Sequence, residues 1–193
     1  RLVGVLADVT GHAMEAAIPL LIFNGILESQ IELGGTIEEL VSRLNRSLHR
    51  TLPGRTFVCF EMGELIPTTR TFRLSNGGCP YPYHFRAVSG EVEELQVGAY
   101  PLGVRPDTAY QVREVQLEPG DRIVFCSDGI TEAKNDTEEM FGFERTAEAI
   151  RTGCQEDLSA EALLERILQE VKAFTGDEPQ GDDQTIVVLH AGA

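Results

Sequence analysis

Apolar and polar positions change their period at definite points along the chain. Leu2 to Ala7 is an unbroken apolar run closed by Asp8, the pattern of a central strand buried on both faces. Asp8 is thereby predicted at a strand end. Ala13, Ala16, Ala17, Leu20, Leu21, Leu27 and Ile31 then recur at roughly helical spacing. A helix is predicted there, bent at Pro19 because proline removes a backbone donor. Thr36 and Glu39 form a capping box ahead of the apolar stripe Ile37, Leu40, Val41, Leu44 and Leu48, which predicts a second helix ending near Pro53 and Gly54.

The middle of the chain reads as strands: 57–66, 71–75, 81–87, 92–97 and 110–117, separated by Gly, Pro and Asn turn signals. Glu118-Pro119-Gly120-Asp121 has proline and glycine set for the second and third positions of a turn, and it feeds the apolar strand 122–126. Helices are predicted at 143–151 and 159–174, the latter carrying Leu163, Leu164, Ile167, Leu168, Val171 and Phe174 on one face, and a last strand at 185–190. Helix pair, strand block, helix pair and strand, in that order, imply an α+β fold with antiparallel sheets faced by helices.

Composition narrows the partners. The 193 residues carry 31 Asp and Glu against 16 Lys and Arg, a net charge of -15, so the average field repels nucleic acid and anionic membranes. It also repels a phosphorylated substrate unless cations sit among the acids. Cys59, Cys79, Cys126 and Cys154 form no CxxC pair and no close set with His, which argues against zinc and redox chemistry. Cys59 and Cys126, inside apolar runs, are expected to be buried structural thiols. No apolar run reaches the roughly 18 to 20 residues of a membrane span, and no signal peptide is evident. A cytoplasmic protein is expected.

Three acidic positions share a setting: Asp8 after the first strand, Asp128 after the strand ending at Cys126, and Asp182-Asp183 just before the last strand. Carboxylates at strand ends are rigidly held yet reach a cleft, which suits a metal site. If they converge, a cation or proton must compensate, since two unit charges 4 Å apart repel by about 4 kcal/mol at an effective dielectric of about 20. Oxygen ligands select magnesium, manganese or calcium. Asp182 and Asp183 point to opposite faces in an extended chain, so one of the two enters the cluster, and spacing does not choose between them.

Asp8-Val9-Thr10-Gly11-His12 followed by Glu15-Ala16-Ala17 resembles the D-V-S-G-H-G-x-x-A-A word of the SpoIIE and RsbU branch of the metal-dependent type 2C serine/threonine phosphatases. The same order continues through Ser75-Asn76-Gly77-Gly78, Pro101-Leu102-Gly103-Val104 and Leu117-Glu118-Pro119-Gly120-Asp121. It ends with Ser127-Asp128-Gly129-Ile130-Thr131-Glu132-Ala133, Phe141-Gly142 and Asp182-Asp183-Gln184-Thr185.

This resemblance implies a layered α-β-β-α sandwich of two antiparallel sheets flanked by helices, and hydrolysis of phosphoserine or phosphothreonine by two manganese or magnesium ions. Asp8 matches the bridging carboxylate, Val9 the backbone-carbonyl ligand, Asp128 the next aspartate and Asp182 the last, with Asp183 in the non-ligand position. His12 is a candidate general acid, while His49, His84 and His190 read as surface or strand-end residues. Gly11 and Gly129 read as turn residues, and Gly77-Gly78 as a sheet turn.

Ala13 stands where the family word has a second glycine, and Cys79 where it often has histidine. Related domains carry strands upstream, including a G-G-D word. Residues 1–193 are therefore expected to be one such phosphatase domain lacking its N-terminal strands, from a parent chain with an upstream sensor or dimerising module. The implied partner is a phosphorylated, anti-anti-sigma-like regulatory protein. A catalytically silent binding module with the same fold is the alternative, and a calcium-binding structural domain the third reading.

Overall fold

The computed structural model describes residues 2–10, 14–54 and 56–192. Its elements in chain order are β1 (Leu2–Val9), α1 (Met14–Glu32), α2 (Ile37–Thr51), β2 (Val58–Ile66), β3 (Thr71–Gly77), β4 (Tyr83–Arg86), β5 (Glu91–Glu94), β6 (Arg113–Gln116), β7 (Arg122–Cys126), α3 (Asp128–Thr131), α4 (Gly142–Gln155), α5 (Ala160–Thr175) and β8 (Ile186–His190). They form two four-stranded sheets, ordered β1-β2-β3-β6 and β5-β4-β7-β8. The α+β class expected from the pattern, antiparallel sheets with helices against them, is the architecture observed. Two units divide the chain, Arg1–Cys79 with Val97–Val115 and Pro80–Gln96 with Gln116–Ala193.

In the first unit α2 forms as its sequence dictates. The Thr36 hydroxyl accepts the Glu39 N–H and the Glu39 carboxylate accepts the Thr36 N–H, closing the capping box. Ile37, Leu40, Val41, Leu44 and Leu48 are buried on one stripe, in one core with Val58, Phe60 and Met62, which alternation places on one face of β2. Asn45 interrupts that stripe at zero exposure. Its amide nitrogen donates to the carbonyls of Arg105 (2.8 Å) and Pro106 (3.2 Å), and its oxygen accepts the Gly103 N–H (2.9 Å). The Pro-Leu-Gly word is thus a loop pinned to a helix.

Two expectations for this unit need correction. Leu20, Leu21 and Ile31 of α1 are 44%, 72% and 52% exposed, and the buried positions are Pro19 and Phe23, with Ile22, Ile26 and Leu27 partly buried beside Phe23. Apolar residues lie all around this helix, so periodicity could not choose its inner face. β1 is the marginal strand of its sheet, not a central one, with Leu2, Val3 and Val5 exposed. An apolar run shows that both faces avoid charge, not that both are covered.

The second strand carries an unusual group. Glu61, paired in register between Leu6 and Asn76, has no exposure, and neither carboxylate oxygen has a hydrogen-bond partner among the described residues. Burial pushes its pKa well above the usual carboxylate range, because a low-dielectric surrounding disfavours the charged form.

The second unit is built on β7, all five residues of which are buried. The turn before it forms as predicted, with Gly120 at φ +90° and the Asp121 N–H bonded to Glu118 O at 3.0 Å. His84 is not the surface or strand-end residue expected. It lies in β4 with no exposure, its Nε2 2.9 Å from the Asp121 carboxylate. Burial pushes the Asp121 pKa up, but the N–H groups of Glu118 and Ala87 and the His84 ring outweigh this and hold it below the usual value. Cys126 is buried as expected, whereas Cys59 is half-buried. Ile150 of α4 and Leu163, Ile167 and Val171 of α5 pack on Phe85, Val124 and Ile186. None of the described helices is long and apolar enough to cross a membrane.

Glu61 makes stability depend on pH. The unfolded chain ionises this carboxyl near its ordinary pKa, and the folded chain holds the proton to higher pH. Its contribution is therefore complete below the unfolded pKa and is lost as pH rises through the folded one. Glu61→Met is expected to unfold at higher temperature than the parent at pH 8, with a gain that shrinks toward pH 4.5. Thermal unfolding of both proteins across that range checks this, and an equal gain at pH 5 and pH 8 contradicts it.

Candidate metal centre

In the second unit, one short path links the end of β7 to the start of β8. Ser127 N–H bonds Thr185 O at 2.9 Å, its hydroxyl donates to Asp183 O at 2.9 Å, and the same hydroxyl accepts the Thr185 N–H at 2.9 Å. Gly129 then passes so near that a Cβ on it would lie 2.2 Å from Asp183 O. This corrects the expectation that Gly129 serves a tight turn. It sits inside α3, and the glycine is needed for the approach of a second backbone, not for its own conformation.

This latch brings Asp128 and Asp182 to one cleft of about 340 Å³. Glu132, Glu138 and Glu178 line it too, so among the described residues five acidic residues line the cleft with one lysine, Lys134. Asp183 does not line it. Asp128 uses Oδ1 to accept the Gly129 N–H (2.9 Å), and Asp182 uses Oδ1 to accept the Asp183 N–H (2.7 Å). Each carboxylate is thereby oriented through Oδ1 by its own backbone. Neither unit by itself groups three or more His, Cys, Asp or Glu side chains closely enough to hold a metal, among the described residues. Donor chemistry nonetheless fits a hard divalent cation, because the lining is rich in acidic residues and, among the described residues, contains no Cys or His.

Asp8 and Val9 belong to the first unit. Asp8 pairs in register with Cys59 and is exposed, while Val9 is buried in the core. Thr10 fixes the end of this strand: its N–H and hydroxyl both donate to Phe57 O (3.1 and 3.0 Å), and its oxygen accepts the Phe57 N–H (3.0 Å). The motif therefore holds its own closing bracket beside the aspartate, a role its residue type allowed but its spacing did not disclose. Gly11, His12 and Ala13 lie outside the described residues. Asn76 holds the Ser-Asn-Gly-Gly turn by bonding both backbone groups of Cys79, each at 3.0 Å, and Gly78 has φ +96° with Pro101 packed where a Cβ would go.

Residues 1–192 match the family model described as Stage II sporulation protein E (SpoIIE). The chain belongs to the SpoIIE family. A curated relative, phosphoserine phosphatase RsbU of Bacillus subtilis, is 24% identical over 131 residues, 68% of this chain and 39% of RsbU. The chain thus spans about two fifths of that relative.

Among solved structures, the SiaA-PP2C domain of Pseudomonas aeruginosa superposes with a TM-score of 0.84 at 21% identity, covering 97% of this chain and 75% of that one. The structure of the RsbU and RsbW domains of Rv1364c from Mycobacterium tuberculosis gives 0.80 at 26% identity, covering 99% of this chain and 53% of that one. The fold of this family member is therefore that of PP2C-type domains.

The latch makes a specific prediction. Gly129→Ala, which forces two backbones apart, is expected to cost about 1–3 kcal/mol and to weaken manganese binding. Gly181→Ala in the same loop meets nothing within 4 Å and should stay within about 0.5 kcal/mol of the parent. Thermal unfolding and calorimetric manganese titration of both variants check the contrast.

Proposed function

We propose that this chain is a metal-dependent protein serine/threonine phosphatase domain that hydrolyses phosphoserine or phosphothreonine on a regulatory protein. The carrying observation is that Asp128 and Asp182, far apart in sequence, line one carboxylate-rich cleft. Family membership and the words around Asp8, Asp128 and Asp182 support the same reading.

Asp128 and Asp182 would hold one side of a centre for manganese or magnesium, with two ions expected. Alignment of Asp8-Val9 with the family's first word supports assigning the Asp8 carboxylate and the Val9 carbonyl to that centre. Bound divalent cations supply Lewis acidity and the positive charge that a phosphate dianion requires. The protein's part is placement. Asp128 is fixed by the start of α3 and Asp182 by the latch to Ser127, so both carboxylates meet incoming cations without first being ordered. Water activated by two cations would make a covalent phosphoenzyme unnecessary. His12 remains the proposed proton donor to the leaving oxygen. An anti-anti-sigma-like phosphoprotein is the proposed substrate, and an upstream sensory or dimerising module its proposed regulator.

Hydrolysis of a phosphopeptide and of an aryl phosphate should require manganese or magnesium, stop with chelator and return on re-addition. Asp182→Ala should lower turnover about a hundredfold or more, since metal assistance is worth several kcal/mol, while Asp183→Ala retains appreciable activity. The opposite ranking would show that Asp183 is the ligand.

Asp8→Asn should keep the fold and lose turnover. Manganese should raise the melting temperature of the parent far more than that of this variant. Equal manganese-induced shifts would remove Asp8 from the centre, and a folded, metal-binding but inert parent would favour the silent binding module.

A further inference from the structure

Of the 16 basic residues in this acidic chain, only Lys134 and Lys172 are lysines. Both line a second cleft of about 290 Å³ in the second unit, together with Thr175, Gln180 and Gln184. This cleft shares Ala133, Lys134, Glu178, Pro179 and Gly181 with the one that holds Asp128 and Asp182, so the two adjoin. The charge of the lining changes sign along the groove. Five acidic residues and one lysine line the aspartate end, whereas two lysines and one acidic residue, Glu178, line the other. In a chain of net charge -15, such a reversal beside the candidate centre selects what can lie in the groove.

Neither lysine is committed to its present partner. Lys134 Nζ bonds Glu138 Oε2 at 2.8 Å, but the Glu138 side chain is 80% exposed, so exchanging it for another carboxylate costs little. Lys172, in the last turn of α5, donates to Gly176 O at 2.5 Å. An ammonium has three donors, and each has one engaged among the described residues. Lys172 also offsets the negative end of α5, which gives it a structural role that the test must separate.

We propose that this second cleft is a recognition subsite for an acidic side chain of the substrate polypeptide, seated next to the phosphorylated residue. The proposal rests on the phosphatase reading and adds to it a preference for phosphoserine or phosphothreonine in an acidic context. The acid-rich end takes cations and, through them, the phosphate. The lysine-bearing end takes the neighbouring carboxylate directly, where any other acidic stretch of this chain would repel it.

The experiment uses paired phosphopeptides that differ only in carrying Asp or Asn beside the phosphoserine at several offsets. They are hydrolysed with manganese by the parent chain and by K134Q/K172Q. Calorimetry with the unphosphorylated acidic peptide scores binding without turnover.

At one or more offsets the parent is expected to show a KM about fivefold lower for the acidic peptide. In K134Q/K172Q the ratio falls to about one, and Lys172→Arg restores part of it. A purely structural Lys172 would shift the melting temperature and leave the ratio unchanged, which overturns the proposal, as does an equal KM for both peptides in the parent. If no phosphorylated compound is hydrolysed, the phosphatase reading fails and calorimetry still decides the subsite. Acidic-peptide binding that is lost in K134Q/K172Q upholds it, and binding that is absent or unaffected rejects it.

Discussion

At Gly129 the backbone leaving β7 passes so close to the backbone approaching β8 that no side-chain carbon fits between them. That single steric constraint orders the rest of the second unit's acidic cleft. It forces the Ser127 hydroxyl into a position where it donates to one residue of the incoming chain and accepts from another. It also sets the phase at which Asp182 reaches the cleft beside Asp128. The energy needed to gather like charges is drawn from hydrogen bonds and packing at the margin of a fully buried strand, not from the carboxylates themselves. A rigid strand end is therefore the scaffold, and the short helix after it only aims the first carboxylate.

Legibility differed sharply between neighbouring elements, for physical reasons. The helix from Ile37 was readable because its cap and its apolar stripe agree, two independent signals that fix both start and inward face. The preceding helix has no such contrast, so its existence was readable from spacing while its buried face, centred on Phe23, was not. The acidic words singled out Asp8, Asp128 and Asp182 as candidates, of which Asp128 and Asp182 line one cleft, and residue type pointed to hard-cation chemistry. Pattern could not show that Gly129 makes room for another segment, that Thr10 ties its strand to Phe57, or that both lysines share a cleft. Those facts depend on which distant backbone comes near, and period along one chain carries no such information. His84 was misread for the same cause: its partner, Asp121, is 37 residues away.

Two buried carboxyl groups, Asp121 and Glu61, are treated in opposite ways. His84 Nε2 and the Asp121 carboxylate bond one another, and the carboxylate adds two backbone N–H donors, so the turn into β7 is fixed around a satisfied carboxylate even though His84 Nδ1 has no hydrogen-bond partner among the described residues. Glu61 has no such company among the described residues. Its neutral form avoids the cost of a buried charge but still forgoes the hydrogen bonds it would make in water. A satisfied carboxylate confers a unique geometry, while an unsatisfied carboxyl mainly lowers the stability of the sheet that contains it.

Asn45 carries a consequence for how this sequence can vary. Its amide serves two carbonyls and one N–H of the Pro-Leu-Gly loop from inside a helix, so removing it strands three backbone groups at once. Substitutions in that loop and at Asn45 are therefore epistatic. A change tolerated at one becomes harmful or harmless according to the residue at the other. Drift at these two places, 58 residues apart in the chain, must proceed in step.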